Sequence, residues 1–189
     1  MKFGDDHSPS ARNQKPDKGE LGEQLVAGWL RSQGWGILYQ RWRCRWGEID
    51  LVAQHHVERE RQTELLLLNV TNNQQLNSSL TSSPQLAFIE VKTRSRGNWD
   101  ADGLLSVTPL KQAKLLQAAE LFLAEHPELA YLPCRFDVAL VSCQPVSERS
   151  RQYDLSTSPE VIEKVQFGQP VFVGEYRLIL QDYISSAFE

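Results

Sequence analysis

An acid and a base interrupt an apolar run, and that run constrains the fold of this chain more than any other part of it. The run is LAFIEVKT, at residues 86–93. Its apolar residues indicate a strand, and successive side chains of a strand point to opposite faces of the sheet. Glu90 and Lys92 therefore share one face, while Ile89 and Val91 share the other. A carboxylate and an ammonium group stand where core residues are expected, and together they form one compact polar site.

A second run, GEIDLVA at residues 47–53, also places charged residues within an apolar segment. If this run is also a strand, Glu48 and Asp50 project from one face and the apolar residues beside them from the other. Two acid-bearing strands in a small domain suggest a metal site. The structural alternative is that Glu90 and Lys92 form a surface ion pair on a half-exposed strand, and that Asp50 only ends its strand.

Length and composition set broad limits on the class of protein. The chain has 189 residues, 41% hydrophobic and 23% charged, which is ordinary for one globular domain with a sizeable core. No apolar run approaches the roughly 18 residues of a membrane span, and the first residues are polar, so we expect a cytoplasmic protein without a membrane partner. Three cysteines without a Cys-x-x-Cys pair predict reduced thiols rather than a disulfide framework or a structural zinc site.

The net charge of −4 argues against a protein that coats nucleic acid through its global charge. A local stretch, residues 31–46, nevertheless contains no acid and carries four arginines: Arg31, Arg41, Arg43 and Arg45. Four aromatic residues are interspersed with them: Trp35, Tyr39, Trp42 and Trp46. Such rings could stack on unpaired bases while the guanidinium groups meet phosphates. The alternative is ordinary strand packing for the rings and solvation for the arginines.

Periodicity and turn residues divide the first half of the chain. Residues 1–16 are polar and aperiodic, which predicts a disordered lead. A helix is expected from Asp17 to near Gly34, followed by a hairpin with strands at residues 36–42 and 47–53. Residues 58–85 form a polar insert whose low-complexity centre cannot bury enough surface to order itself.

The second half predicts one more helix and further strands. Thr108 followed by Pro109 indicates the start of a helix that runs to about Glu125, and residues 135–141 indicate a strand. The order of elements indicates a mixed α/β domain over residues 17–143. Residues 144–189 are expected to form an extension packed on that domain, with a closing hairpin or edge strand and then a short terminal helix.

Glu23 lies beside the apolar face of the first predicted helix, two turns before Leu30. An acid at that border either snorkels to solvent or faces the carboxylates of the strands. Snorkelling is the more ordinary outcome for a single acid beside an apolar stripe.

Several motifs, in order, carry a resemblance. They are Gly22-Glu23, RCR leading into GEIDL, FIEVKTR at residues 88–94, a helix with Lys111, and RFDV at residues 135–138. Over residues 18–142 the chain resembles the uncharacterised bacterial protein family 0102, the YraN family. That family is similar to the restriction-endonuclease-like PD-(D/E)XK superfamily, and especially to archaeal Holliday-junction resolvases. The resemblance implies a restriction-endonuclease-like α/β fold, a mixed central sheet flanked by helices, with the active site at one edge.

The resemblance also implies roles for individual residues. Asp50 matches the superfamily's metal-binding aspartate, Glu90 and Lys92 match its (D/E)XK pair, and Glu23 matches a helix glutamate that some members add. Asp50 and Glu90 would then bind Mg²⁺ or Mn²⁺, because hard cations prefer oxygen ligands. Lys92 would hold or help deprotonate the attacking water, while Glu48 is a weaker candidate for the same shell. Ile49 replaces the proline that often precedes the aspartate.

Three functional interpretations follow. The first is a metal-dependent endonuclease, a phosphodiester hydrolase acting on branched or structured DNA, in which five basic residues contact the nucleic acid: Arg41, Arg43, Arg45, Arg94 and Lys111. The second is a nucleic-acid-binding module with the same fold and no turnover. The third is a protein-interaction adaptor that works through the polar insert and the C-terminal extension. A homodimer is expected by analogy with the resolvases, which cut two strands symmetrically.

Overall fold

The computed structural model describes residues 17–55, 84–95, 107–146 and 165–188. These parts of the chain form two helices and six strands, in the order α1 (Lys18–Ser32), β1 (Trp35–Cys44), β2 (Gly47–His55), β3 (Gln85–Arg94), α2 (Pro109–Glu125), β4 (Cys134–Pro145), β5 (Pro170–Val173) and β6 (Tyr176–Phe188). The predicted lead at residues 1–16 and nearly all of the insert at residues 58–85 lie outside the described residues.

The six strands form one mixed sheet in the order β1-β2-β3-β4-β6-β5. β3 and β4 are parallel, and the other neighbouring strands are antiparallel. The predicted fold class, a mixed central sheet flanked by helices, is confirmed and is consistent with a restriction-endonuclease-like fold. Neither described helix is long and apolar enough to cross a membrane.

Local signals in the sequence set where both helices begin. The Asp17 side chain caps α1 by accepting a hydrogen bond from the backbone N–H of Gly19 at 3.0 Å. Thr108 caps α2 by accepting from the N–H of Lys111, and Pro109 occupies the first turn, where a missing N–H has no consequence. The predicted starts of the two helices are therefore confirmed.

The sheet carries a hydrophobic core on each face. The α1-side core contains Leu25, Ile89, Val141 and Leu178, among others. The α2-side core is built on aromatic rings: Phe88, Phe122 and Phe136. Since residues 88 and 89 alternate between these cores, β3 is buried on both faces, and Glu90 therefore lies at an interior position of the fold.

Two expectations about the strands are wrong. The first is the regular alternation of β2: Ile49 packs in the α2-side core while Leu51 packs in the α1-side core, so the alternation of faces is interrupted at Asp50. The interruption lies across from Arg41, whose φ of 52° is in the left-handed region that side-chain-bearing residues seldom adopt. The regular period of two therefore fails at the residues that carry the acids.

The predicted terminal helix is also wrong, because β6 continues as a strand through Phe188. It pairs with β4 from Pro145↔Tyr176 to Phe136↔Phe188, and the Phe136 and Phe188 rings stack with centroids 4.9 Å apart. Pairing with a central strand outweighs the weak local preference of this segment for a helix. The described part of residues 144–188 thus belongs to the same sheet.

Candidate active site

The two acid-bearing strands separate where their acids begin. The ladder between β2 and β3 runs from His55↔Gln85 to Leu51↔Ile89. One residue further on, the backbone N–H of Val91 donates to Asp50 Oδ2 at 2.7 Å. A side chain thus replaces the backbone partner that the next pair of the ladder would supply. Asp50 lies where the strands diverge, close enough to Glu90 for the charge of Glu90 to raise its pKa.

A third element brings another acid to this point. The nearest carboxylate oxygens of Glu23, Glu48 and Asp50 all lie within 4.8 Å of one another. We call these three residues the carboxylate cluster. Glu23 is only 9% exposed, so the structure places it toward the strand acids rather than out to solvent. Glu48, the weaker candidate from the sequence, is a full member of the cluster.

Close packing of α1 on β3 explains how Glu23 reaches the sheet. A Cβ atom added at Gly22 would stand 2.0 Å from Oγ1 and 3.2 Å from Cβ of Thr93. Only a residue without a side chain permits this approach of helix to strand. Gly22 therefore positions its neighbour Glu23 against the end of β2.

Glu90 is held by two ammonium groups. Its Oε1 accepts a hydrogen bond from Lys92 Nζ at 2.7 Å, and its Oε2 lies 3.0 Å from Lys111 Nζ. The Glu90 side chain is 5% exposed, while Lys92 and Lys111 are 27% and 34% exposed. Within the described residues Oε2 accepts no geometrically sound hydrogen bond, so its contact with Lys111 is an ion pair. Both lysines reach Glu90 from the solvent side of the site.

Asp50 carries a strongly perturbed pKa. Burial raises the pKa of Asp50 to about 7, and the negative charges of Glu90 and Glu23 contribute to the rise. The Val91 N–H hydrogen bond and the Lys111 charge oppose this rise without cancelling it. Burial, rather than an excess of negative charge, is thus the main cause of the raised pKa, and a pKa displaced in this way is frequent at functional sites.

Arg41 lies inside the acidic site. Its Nε and Nη2 donate to the two carboxylate oxygens of Glu23 at 2.7 and 3.1 Å, and it lies 3.5 Å from Asp17 and 3.9 Å from Glu48. The hydrogen bond to Glu23 raises the pKa of the Arg41 guanidinium, which stays charged at every working pH. Arg41 was predicted from the sequence as a nucleic-acid contact; the structure shows carboxylate partners for it, and the nucleic-acid role stays a prediction.

The other predicted nucleic-acid contacts are placed differently. Arg43 pairs with Glu48 while its side chain remains 72% exposed, and the Arg45 guanidinium lies 5.1 Å from the ring centroid of Trp46. Arg94 is the exposed last residue of β3. Lys111 contacts Glu90, as described above. Three of the five thus stay at the surface beside the site, and these side chains are Arg43, Arg45 and Arg94.

The structure also contains a buried carboxylate of a different kind, on β4. Asp137 is fully buried and accepts hydrogen bonds from Arg135 Nε at 3.0 Å, Tyr183 Oη at 2.7 Å and the Ser186 N–H at 2.9 Å. It lies on the α1 side of the sheet, in the same alternation as Ala139. Its partners tie β4 to β6, so its role is in the fold.

The motif order agrees with the comparisons to known proteins. The family model described as "Uncharacterised protein family UPF0102" matches residues 22–141. A UPF0102 protein of Trichodesmium erythraeum is 48% identical over 178 residues, covering 93% of this chain and 91% of that protein. Relatives in Acaryochloris marina and Synechocystis are 43% and 38% identical, covering 95% and 91% of this chain and 94% and 97% of their own lengths. The chain therefore belongs to the uncharacterised protein family UPF0102.

Proposed function

We propose that this protein is a divalent-metal-dependent nuclease that hydrolyses phosphodiester bonds in branched or structured DNA. One observation carries the proposal: Asp50 lies where β2 and β3 diverge and accepts the N–H of Val91, next to Glu90, whose carboxylate accepts a hydrogen bond from Lys92 at 2.7 Å. The arrangement agrees with the roles that the resemblance to the PD-(D/E)XK superfamily and the archaeal resolvases implies. A carboxylate pair with an adjacent ammonium is also what phosphodiester hydrolysis asks of a protein.

The residues present suit a hard divalent cation. The donors are carboxylate oxygens, which Mg²⁺ and Mn²⁺ prefer over softer ligands. Glu90 Oε2 is buried with an ion pair to Lys111 but no hydrogen bond among the described residues, and burial together with the charges of Glu90 and Glu23 raises the pKa of Asp50. Asp50 and Glu90 would hold the ion, and the other two acids of the carboxylate cluster, Glu23 and Glu48, would lie within reach of it. Bound there, Mg²⁺ would polarise a phosphate oxygen and lower the pKa of a coordinated water.

Lys92 and Lys111 assist the hydrolysis itself. Hydrolysis forms a bond between a water oxygen and phosphorus, breaks a phosphorus–oxygen bond, and transfers a proton to the departing alkoxide. Lys92, fixed by Glu90 and 27% exposed, orients the attacking water and offsets the charge that develops on the phosphate oxygens. Lys111 approaches Glu90 from α2 and adds a second positive charge on the same side.

A cleavage panel tests the proposal. Labelled four-way junction, flap, duplex and single-stranded DNA are incubated with Mg²⁺ or Mn²⁺ and the wild type, Lys92→Ala or Asp50→Ala. We expect the wild type to cut at least one substrate, and each variant to be slower by at least about a hundredfold. Glu120→Gln, which alters an exposed carboxylate on α2, serves as the matched control and should cut like the wild type.

Two outcomes separate the competing functions. Retained binding without cleavage in any condition would favour a nucleic-acid-binding module, for which the exposed Arg43 and the Arg45–Trp46 pair of the hairpin would suffice. Cleavage that both variants retain in full would place the chemistry elsewhere and overturn the site. Sedimentation on junction DNA tests the homodimer, since cutting two strands symmetrically calls for two copies.

A further inference from the structure

A cavity of about 190 Å³ lies between the hairpin turn that joins β1 to β2 and the first turns of α2. Its lining residues are Trp46, Gly47, Glu48, Lys111, Lys114 and Leu115. Glu48 belongs to the carboxylate cluster, and Lys111 also contacts Glu90. The cavity therefore borders the proposed site of cleavage directly.

The size and walls of the cavity suit one flat ring. Pockets for drug-sized ligands occupy about 300–1,000 Å³, so a cavity of about 190 Å³ suits a single base rather than a larger ligand. Trp46 is the aromatic residue among the lining residues and is 37% exposed. Gly47 next to it has a φ of 133° and open space around its Cα, which keeps this rim free of a side chain.

The charges around the cavity favour an anion at its edge. Lys111 and Lys114 face it from α2, and Lys114 is exposed. Glu48 is the acid of the lining, and its carboxylate is paired with Arg43. The Arg45 guanidinium lies over the Trp46 ring, adding a further positive charge beside the aromatic wall.

Trp46 differs from the other three aromatic residues of the arginine-rich stretch. Trp42 and Tyr39 both pack edge-on against Phe122, with ring centroids 5.3 Å away. Trp35 packs against His55 and beneath the Arg135 guanidinium. These three rings pack against other rings of the fold. Tyr39 and Trp46 are similarly exposed, at 39% and 37%, and Trp46 is the one of the four that lines the cavity with the lysines.

We propose that this cavity binds one unpaired nucleotide of single-stranded DNA, with its base stacked on Trp46 and its phosphate at Lys114. The inference rests on the proposed nuclease function and narrows its substrates to DNA with an unpaired nucleotide next to the cleaved phosphate. In a continuous duplex the faces of a base are covered by its neighbours, so a paired base reaches this ring only after it leaves the stack. Flaps and strand ends at junctions meet the requirement without that cost.

Binding measured without metal tests the cavity separately from cleavage. The full chain is titrated into a labelled single-stranded oligonucleotide, and into a blunt duplex of the same sequence, in the presence of EDTA. We expect Trp46→Ala to weaken single-strand binding roughly tenfold and duplex binding less than about twofold, given the usual strength of stacking on an aromatic side chain. Trp46→Phe, which keeps a flat ring, should stay within about threefold of the wild type.

Matched variants control for general effects on the surface. Tyr131 is 78% exposed and follows the opposite end of α2 from Lys111, so Tyr131→Ala should bind both DNAs like the wild type. Lys114→Ala should lower the slope of log affinity against log salt for the single strand by about 0.7, the loss of one phosphate contact. Arg177→Ala removes a half-buried cation from β6, which lies three strands along the sheet from β2, and should leave the slope unchanged.

The outcomes are decisive for the cavity whatever the protein cuts. Equal losses on single strand and duplex in Trp46→Ala, or no loss on either, would overturn the proposal, as would a wild type that does not bind single-stranded DNA. A selective loss that Trp46→Phe restores would support it, even if neither the wild type nor any variant cleaves DNA. Failure of the nuclease proposal would appear only in the metal-containing cleavage panel.

Discussion

Two carboxylates of the sheet, the fully buried Asp137 and the half-buried Asp50, lie in opposite electrostatic surroundings. Asp137 receives three hydrogen bonds, one of them from a guanidinium. Asp50 receives one backbone hydrogen bond, while its other influential neighbours include the acids Glu90 and Glu23. A buried charge with its own donors is explained by the fold. A half-buried charge placed beside other acids destabilises the fold and is therefore expected where a ligand is bound.

The cations of the two regions differ in the same way. Arg135 is fixed by Asp137, by Gln85 Oε1 at 3.1 Å and by the ring of Trp35 at 4.8 Å. Lys92 and Lys111 each reach Glu90 by one flexible chain and remain about one-third exposed, at 27% and 34%. A planar, stacked guanidinium holds its partners in one geometry, whereas accessible ammonium groups are suited to contact a substrate.

Breaking the Asp137 network should have the largest effect on stability. Asp137→Asn removes the charge that compensates Arg135 in a buried setting, so we expect the free energy of unfolding to fall by about 3 kcal/mol. Urea denaturation measures this change in the free energy of unfolding. Asp182→Asn, an exposed carboxylate on β6, is the control and should change stability by less than about 0.5 kcal/mol. A loss in Asp137→Asn as small as that of the control would contradict the structural role.

The matching change at Asp50 should raise the free energy of unfolding rather than lower it. Because the folded-state pKa of about 7 lies above the ordinary value of 3.8, the folded protein retains a proton that the unfolded chain releases between those values. Stability therefore falls as pH rises through that window, and Asp50→Asn escapes the fall. In EDTA at about pH 8 the variant should be more stable than the wild type by roughly 1–3 kcal/mol, with little difference at about pH 4.

Denaturation at the two pH values checks this reversal. The amide oxygen that Asp50→Asn introduces can still accept the Val91 N–H, so the variant tests charge rather than geometry. A variant less stable than the wild type at about pH 8 would mean that Asp50, like Asp137, is held for the fold.

Removing Arg41 tests the same comparison between the Asp50 and Asp137 regions, with a smaller expected effect on stability. Arg41→Gln leaves the nearly buried Glu23 without its two-pronged partner, and we expect a loss of about 1–2 kcal/mol in EDTA. The same change should strengthen Mn²⁺ binding several-fold, because it removes a positive charge from the carboxylate cluster. Calorimetry measures both quantities.

Arg43→Gln is the matched control, since Arg43 also pairs with a cluster acid but is 72% exposed. Its effect on stability should stay below about 0.5 kcal/mol. If Arg41→Gln weakened Mn²⁺ binding instead, Arg41 would be a support that positions the acids rather than a competing cation.

Local signals in the sequence were enough to predict the helices and the principal acids. The caps at Asp17 and Thr108 depend on neighbouring residues, and the motif that joins Glu90 to Lys92 is readable within one strand. Local signals do not show that the C-terminal segment continues as strand β6, because its pairing with β4 is a tertiary contact. The predicted roles of Asp50, Glu90, Lys92 and the metal remain predictions.

The contacts that the sequence could not show all depend on long-range geometry. Arg41 turns into the acids through a left-handed backbone that no pattern in the sequence signals. Trp42 and Tyr39 pack because Phe122 of α2 covers their face of the sheet. The convergence of Glu23 with Glu48 follows from the contact of Gly22 with Thr93, and a glycine within an amphipathic helix was its one available signal.

The most direct test of the central claim is Mn²⁺ binding to the wild type and to Asp50→Asn, measured by calorimetry near pH 8 on samples shown to be folded. We expect the wild type to bind Mn²⁺ and Asp50→Asn to lose at least about tenfold in affinity while remaining as stable as the wild type or more so. Equal Mn²⁺ affinity in both proteins would show that the divergence of β2 and β3 is no metal site, and would contradict the proposed function at its centre.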